Sequence, residues 1–280
     1  MQKILVPTDF SDNSLKAIMY ASEIAQKSGA VIYLLHVVEP TINMINPQAD
    51  LVRDEVVREK LEQLQLFEKL ITDNYPDVKT DIELSPGATI ASIIDFAERE
   101  RMDLIVMGTT GATGFKEFFM GSVAAGVISK TKITVLTIPV SYEMEEPDAI
   151  LFATNQFEKN KNTLDKVVSI SKLFSAVVHV VVFKDVDGDK NADLIYNEEQ
   201  LNNYLQFLKE TFPDVVFKGE LLEGKNFEIN IDWYCNKNEV DVIAMITYPK
   251  SFVEKILRKS VTKKMAFHST IPILAIPAIC

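Results

Sequence analysis

Three closely spaced glycines directly after a short apolar run are the strongest chemical signal in the chain. The run, Leu104 to Met107, has the length and composition of a buried strand, and Gly108, Gly111 and Gly114 follow it. Gly121-Ser122 then opens a segment with helical character. Glycines let backbone N–H groups approach a ligand closely, and a helix N-terminus adds unsatisfied donors and a positive dipole. The stretch therefore predicts an anion site, for which phosphate is the most suitable anion.

The apolar pattern of the first half predicts the elements that would position this loop. We expect Ser11 to cap the first helix, Gly29 to follow its end, and Thr89 to cap the third helix. Strands are predicted at 3–8, 30–38, 79–84, 104–107 and 133–138, and helices at 12–27, at 49–74, from 89 and from 121. This alternation is typical of a parallel, doubly wound α/β sheet with right-handed crossovers. Such sheets bind ligands at the carboxyl ends of strands where the strand order reverses.

The second half of the chain repeats the first. The segment 150–155 resembles 4–9, 176–183 resembles the strand from residue 30, 241–245 resembles 103–107, and 271–277 resembles 133–139. Self-similarity over so long a period indicates a tandem duplication. We therefore expect two domains, residues 1–140 and 149–280, joined by the polar, acidic linker 141–148.

Composition and charge limit the partners of this protein. The 280 residues carry a formal net charge of −11, which disfavours nucleic acid and anionic membranes. No apolar run approaches the roughly 18 residues of a membrane-spanning helix. Two cysteines and three scattered histidines offer neither a disulfide framework nor metal-ligand spacing. We expect a soluble, cytoplasmic protein with no nucleic-acid partner, no membrane partner and no metal ligands of its own.

Three groups of residues carry a resemblance to a known family. They are Pro7-Thr8-Asp9 after the first strand, His36-Val37-Val38 at the end of the second, and the spacing Gly108-x2-Gly111-x9-Gly121-Ser122. Together they resemble the universal stress protein family, and because both halves are covered the chain resembles a tandem member. The resemblance implies an adenine nucleotide alpha hydrolase-like fold with strand order 3-2-1-4-5 in each domain. It also implies a role in stress response and ATP as the ligand, with or without Mg²⁺.

Carried over position by position, the resemblance implies a role for each residue of the motif. Asp9 would hold the adenosine end of ATP through its carboxylate and Val37 through its backbone, with Pro7 and Thr8 beside them. The remaining implied contacts are to the ribose and first phosphates, from Met107, Gly108, Thr109 and Gly111, and to the outer phosphates, from Gly121, Ser122 and Val123. The chemistry agrees, because a carboxylate accepts hydrogen bonds from hydroxyls or amines and an amide-rich turn donates to negative oxygens.

Each of these assignments has a structural alternative. Asp9, with Ser11 close behind it, could merely cap the first helix. Gly108 could be required only by the turn that leaves the strand, and Gly121 only by close helix packing. His36 has the position of a hydrogen-bonded histidine at a strand end, since no nucleophile accompanies it.

The second half departs from the motif. When residues 241–245 are aligned with 103–107, the positions of the three motif glycines hold Ile246, Pro249 and Lys259, and of the motif residues in this stretch Ser260 alone keeps its type. Asn155 stands where the first half has the motif's aspartate. Proline has no N–H to donate, and isoleucine adds a β-branched side chain where the loop needs room. We therefore expect that the second half does not bind ATP in the family's way.

The same part of the second half is strongly basic. Its cations lie between Lys250 and Lys264, with Glu254 as the single acid among them. The segment is interpreted either as a solvated amphipathic helix or as a surface for another anion or an acidic partner. Cys235, in a predicted helix over 229–235, is expected to be a small buried hydrophobic residue.

The leading hypothesis is an ATP-binding regulatory protein whose second half serves as a built-in partner. The resemblance implies that the last strands of the two halves, 133–138 and 271–276, pair as in a dimer, and that the whole chain can form a homodimer. One alternative is a slow ATPase or phosphotransferase, although the loop 108–122 offers only Glu117 as a carboxylate and no Walker-type lysine. A second alternative is a nucleotide-free scaffold.

Overall fold

The computed structural model describes residues 1–39, 48–109, 121–154, 157–185, 193–247 and 270–278. The chain divides into two compact units, Met1–Val140 and Ser141–Cys280. Each unit is a parallel α/β sheet with helices packed on it, and the two units are described separately.

The described residues of the first unit form five strands in the order β3-β2-β1-β4-β5, all parallel, as predicted. Its elements are β1 (Lys3–Pro7), α1 (Asp12–Ser28), β2 (Val31–Val38), α2 (Gln48–Asn74), β3 (Lys79–Pro86), α3 (Thr89–Arg99), β4 (Leu104–Gly108), α4 (Ser122–Lys130) and β5 (Thr134–Ile138). The central strand β1 is fully buried at Ile4, Leu5 and Val6, because helices cover both faces of a parallel sheet. β3 continues through Pro86, two residues beyond the predicted strand 79–84. The sheet tolerates a proline there because β3 is an edge strand of this unit.

The helix ends of the first unit follow the predicted capping with one exception. Oγ of Ser11 accepts the N–H of Ser14 at 3.2 Å, which confirms it as the N-cap of α1. Gly29 ends that helix with φ +71° and donates its N–H to Ala25. The prediction that Thr89 caps α3 was wrong, because Thr89 is the first helical residue and its N-cap makes no side-chain bond. The Thr89 hydroxyl donates instead to the carboxylate of Glu39 at 2.6 Å, tying the start of α3 to the end of β2.

The second unit repeats the topology of the first. Its sheet order is β8-β7-β6-β9-β10, again all parallel. The elements are β6 (Ala149–Ala153), α5 (Lys161–Phe174), β7 (Val177–Asp185), α6 (Asp193–Thr211), β8 (Phe217–Gly224), α7 (Phe227–Lys237), β9 (Val242–Thr247) and β10 (Ile273–Pro277). When the strands of this unit are numbered 1 to 5 along the chain, their order in the sheet is again 3-2-1-4-5. The strand order predicted for the duplicated half is therefore confirmed. Cys235 is buried in α7, also as expected.

One carboxylate in each unit ties the first strand to the fourth. Oδ2 of Asp103 accepts the backbone N–H groups of Gln2 at 2.6 Å and Lys3 at 3.1 Å. Oδ2 of Asp241 accepts those of Asp148 at 2.8 Å and Ala149 at 2.9 Å. The aspartates that anchored the sequence comparison of the two halves therefore make the same contact in both.

Candidate functional site

The predicted site residues of the first unit gather where the strand order reverses. From β1 the chain builds β2 and β3 on one side and β4 and β5 on the other, so β1 and β4 are neighbours. Asp9 therefore follows one strand, and Thr109 the other, at the same edge of the sheet. Ligands of doubly wound sheets bind in this crevice.

The N-terminus of α4 provides backbone donors near this edge. Its N-cap is Gly121, which has no side chain to occupy the first-turn N–H groups. The N–H of Gly121 donates to the carbonyl of Thr109, whose own N–H donates to Ile138 at 3.0 Å. These bonds bring the start of α4 to the end of β4, as an anion site built on β4 and α4 requires. Gly111 and Gly114 lie outside the described residues.

Gly108 has a packing role that its sequence context did not reveal. A Cβ at this position would lie 2.6 Å from Nδ2, 2.8 Å from Cγ and 3.1 Å from the backbone oxygen of Asn13. Asn13 is a buried residue in the first turn of α1. Gly108 thus allows α1 to approach the end of β4, a structural role different from the turn proposed for it as the alternative to ligand binding. Asn13 was not among the predicted site residues, and its only signal in the sequence is an amide residue in the first turn of the helix that follows Pro7-Thr8-Asp9.

Asp9 is both exposed and locally held. Its Oδ1 accepts the N–H of Ser11 at 3.1 Å and the Ser11 hydroxyl at 2.6 Å. Because Ser11 is the N-cap of α1, Asp9 orients the capping hydroxyl without capping the helix itself. The helix is therefore capped by Ser11 and not by Asp9, and the Asp9 carboxylate is exposed to solvent.

Thr8 organises the end of β1. This buried residue donates its N–H to Leu35 at 2.8 Å, and its hydroxyl shares a hydrogen bond with Ser14 at 2.9 Å. Its Oγ1 also accepts the N–H of Phe10 at 3.0 Å, and its carbonyl accepts Nδ1 of His36 at 2.8 Å. A carbonyl can only accept, so Nδ1 of His36 carries the proton.

His36 is enclosed by charged and aromatic groups. The ring of Phe10, a residue with φ +64°, lies 4.4 Å from the imidazole. Burial lowers the pKa of His36, the bond to Thr8 opposes that shift, and nearby Lys60 adds to the lowering. Asp9 also opposes the lowering of this pKa. The expectation of a hydrogen-bonded histidine at a strand end is met.

The backbone of Val37 faces the crevice. Polar groups of a parallel strand alternate between its two neighbours. In β2 the carbonyl of Leu35 bonds to Thr8, beyond the end of β1, whereas the carbonyl of Val38 bonds to Gly87, beyond the end of β3. The N–H and C=O of Val37 therefore point past the end of β1. Val37 itself is partly exposed.

The other predicted residues differ in what they can offer a ligand. The side chain of Met107 is buried in the core, so only its backbone is available. Pro7, Thr109 and Val123 are partly exposed and Ser122 is exposed. The hydroxyl of Ser122 is therefore accessible from solvent.

The second unit differs at the strand end that corresponds to Gly108. Ile246 pairs with Ile276 in β9 and β10, just as Gly108 pairs with Ile138. Asn162, two residues after the N-cap of α5 as Asn13 is after that of α1, is exposed rather than buried. The second unit thus has a side chain where the first has Gly108, and its asparagine at the matching helix position is exposed.

Several predictions for the second half concern residues outside the described part of the chain. They are Asn155, Pro249, Lys259, Ser260 and the basic stretch between Lys250 and Lys264. Among the residues that the structure does describe, no cluster of three or more His, Cys, Asp or Glu side chains could hold a metal ion. None of the helices in those ranges is long and apolar enough to cross a membrane.

Known proteins resemble this chain in both sequence and fold. Residues 1–139 match the model of the Universal stress protein family. Universal stress protein MJ0531 of Methanocaldococcus jannaschii is 36% identical over 140 residues, which are 49% of this chain and 81% of that protein. Universal stress protein YxiE of Bacillus subtilis is 27% identical over 146 residues, 49% of this chain and 97% of its own. A crystal structure of a universal stress protein from Archaeoglobus fulgidus covers 98% of this chain and 96% of its own at 22% identity, with a TM-score of 0.71. That likeness extends the fold to both halves.

Proposed function

This chain belongs to the universal stress protein family, and from that membership we propose that its first unit binds ATP and regulates a stress response through the bound nucleotide. The second unit, with Ile246 in place of Gly108, does not bind ATP in the same way. Pairing of the two halves through their last strands, a homodimer and a cytoplasmic location remain predictions.

The observation that carries the proposal is the convergence of three kinds of group on one edge of the sheet. Asp9 supplies an exposed carboxylate, Val37 a backbone N–H and C=O, and the N-terminus of α4 a set of backbone donors. A carboxylate accepts from ribose hydroxyls or an amino group, and a helix N-terminus with a glycine cap binds phosphate. ATP is proposed to bind with or without Mg²⁺, and Asp9 is assigned to the adenosine end and not to the metal.

Calorimetry of the full chain with ATP tests the proposal. Asp9→Ala should weaken binding about tenfold, the value of one charge-assisted hydrogen bond. Asp12→Ala is the matched control, because it removes the same charge from an exposed residue in the first turn of α1. Its ATP affinity should stay within about twofold of wild type, since any change reflects only the general field.

Three outcomes separate the alternatives. No heat with wild-type protein would leave the nucleotide-free scaffold. Equal losses in the Asp9 and Asp12 variants would remove Asp9 from the site and reduce its role to orienting Ser11. Steady phosphate release by wild type, abolished in Asp9→Ala, would establish a slow ATPase.

A further inference from the structure

One hydrogen bond expected of a regular parallel ladder is replaced at the end of β1. The ladder between β2 and the first strand starts with the N–H of Val31 bonded to Gln2 at 2.8 Å and ends with the N–H of Thr8 bonded to Leu35 at 2.8 Å. Because the donors of β2 toward β1 alternate, the next bond would run from the N–H of Val37 to the carbonyl of Thr8. That carbonyl is bonded by Nδ1 of His36 at 2.8 Å instead.

We infer that His36 is a positioning residue that keeps the N–H of Val37 out of the ladder and available to the base of a bound nucleotide. This inference rests on the proposed ATP site and names a residue that acts on it without touching the ligand. Adenine presents an amino donor beside a ring-nitrogen acceptor. The N–H and C=O of Val37 complement that pair.

A second replaced bond leaves the C=O of Val37 facing the same way. The next donor from the first strand would be the N–H of Phe10, but it bonds to Oγ1 of Thr8 at 3.0 Å. The left-handed backbone of Phe10, with φ +64°, makes this turn. Thr8 thus blocks both bonds that would extend the ladder to Val37, because its carbonyl is occupied by Nδ1 of His36 and its hydroxyl takes the N–H of Phe10.

Packing fixes the imidazole in the orientation that this role requires. The ring centroid of Phe10 lies 4.4 Å from that of His36 and 5.7 Å from that of Phe67. The charged groups that face the ring are Asp9 from the end of β1 and Lys60 from α2. Since Nδ1 keeps its hydrogen in both the neutral and the charged imidazole, the bond to Thr8 survives protonation.

The second unit provides an internal contrast. The N–H of Thr154 bonds to Val181 at 3.0 Å, which reproduces the bond between Thr8 and Leu35. The residue that follows in β7 is Val182, whose side chain has no donor to offer the threonine carbonyl. The arrangement built by His36 is therefore confined to the unit that carries the glycine motif.

Two substitutions in the full chain distinguish positioning from simple packing. His36→Asn places an amide N–H about where Nδ1 lies, whereas His36→Leu keeps the bulk and removes the donor. In the ligand-free protein, ¹⁵N-labelled His36→Leu should show a downfield shift and slower exchange of the Val37 amide proton, because this N–H can then bond to Thr8. His36→Asn should leave both close to wild type, and the amide of Phe183, the counterpart of Val37 in the second unit, should be unchanged in every variant.

Binding measurements test the consequence for the ligand. ATP affinity should fall about tenfold in His36→Leu, the value of one hydrogen bond to the base, and recover to within about threefold in His36→Asn. The affinity for inorganic tripolyphosphate, which has no base, should be the same in all three proteins. Loss of tripolyphosphate binding together with ATP binding in His36→Leu would overturn the inference.

The NMR arm separates this inference from the proposed function. An unchanged Val37 amide in His36→Leu would overturn the positioning role even if ATP binds to wild type. If wild type binds no ATP, the proposed function fails and the role in base binding fails with it. A shifted Val37 amide would then still establish that His36 holds the ladder open.

Discussion

Replacing Gly108 with alanine should destabilise the first unit through a contact with α1. The added methyl carbon would lie 2.6 Å from Nδ2 and 2.8 Å from Cγ of Asn13, distances that packed atoms do not tolerate. Asn13 is buried, so its amide cannot swing freely into solvent. Overpacking of this kind costs about 1–3 kcal/mol of unfolding free energy.

A double-mutant cycle with Asn13→Ala isolates the contact. Asn13→Ala removes Nδ2 and Cγ and leaves only the Asn13 backbone oxygen, 3.1 Å from the new methyl. Gly108→Ala should therefore cost less in the Asn13→Ala background than in wild type, by about 1–2 kcal/mol. Without that difference, the explanation of Gly108 by the position of Asn13 would be wrong.

Native-state hydrogen exchange is the suitable measurement, because unfolding of a two-unit chain is not described by a single free energy. Amides in the middle of β1 and β4 report the opening of the first unit directly. The chain has one tryptophan, Trp233 in α7, so its fluorescence follows the second unit alone. The urea midpoint of unfolding of the second unit, followed by this fluorescence, should be the same in all four proteins of the cycle.

Three further predictions follow from individual contacts. Asp103→Ala and Asp241→Ala should each destabilise their own unit by about 2 kcal/mol, since each carboxylate accepts two backbone N–H groups. Hydrogen exchange should show slower-exchanging amides losing protection in one unit only. Loss of protection in both units would contradict a contact that acts within its own unit. Burial raises the pKa of the Cys235 thiol to about 12, so a Cys280→Ser variant should react with thiol reagents at pH 8 only after unfolding; rapid reaction of the native protein would refute its burial. Burial lowers the pKa of His179 below 6.5, so the unfolded state binds the proton first and stability is lost as pH falls from 6.5 toward the folded pKa; an imidazole NMR titration with a midpoint at or above 6.5 would contradict this.

Most of the fold could be predicted because its signals are local. Apolar runs bounded by glycine and proline gave the strands, and their repetition along the chain gave the duplicated topology. Ser11 was recognisable as a cap because a serine before an amphipathic segment has one preferred role. Thr89 looked equally suitable, but its hydroxyl is taken by Glu39, which precedes it by 50 residues. A contact over that separation leaves no trace in local sequence.

The candidate site was less predictable because its residues also make structural contacts that the motif does not indicate. The motif identified Asp9 and Gly108, but only the fold shows that one orients Ser11 and the other makes room for Asn13. His36 was expected to be a satisfied histidine, and it is. Its partner is the carbonyl of Thr8, to which the N–H of Val37 would bond in a regular ladder. This coincidence depends on the register of β1 and β2, which the residue pattern alone does not specify.

The aspartate contact in each unit also constrains how the protein can be made. Asp103 is 101 residues from Gln2, and Asp241 is 93 residues from Asp148. At about 5–20 residues per second, a ribosome needs on the order of 5–20 s to supply the aspartate after the first strand has emerged. Until then one edge of an apolar central strand stays unpaired, a hazard for aggregation. Each closing contact lies within its own half of the chain. The first unit can therefore complete its sheet before the first strand of the second unit has been synthesised.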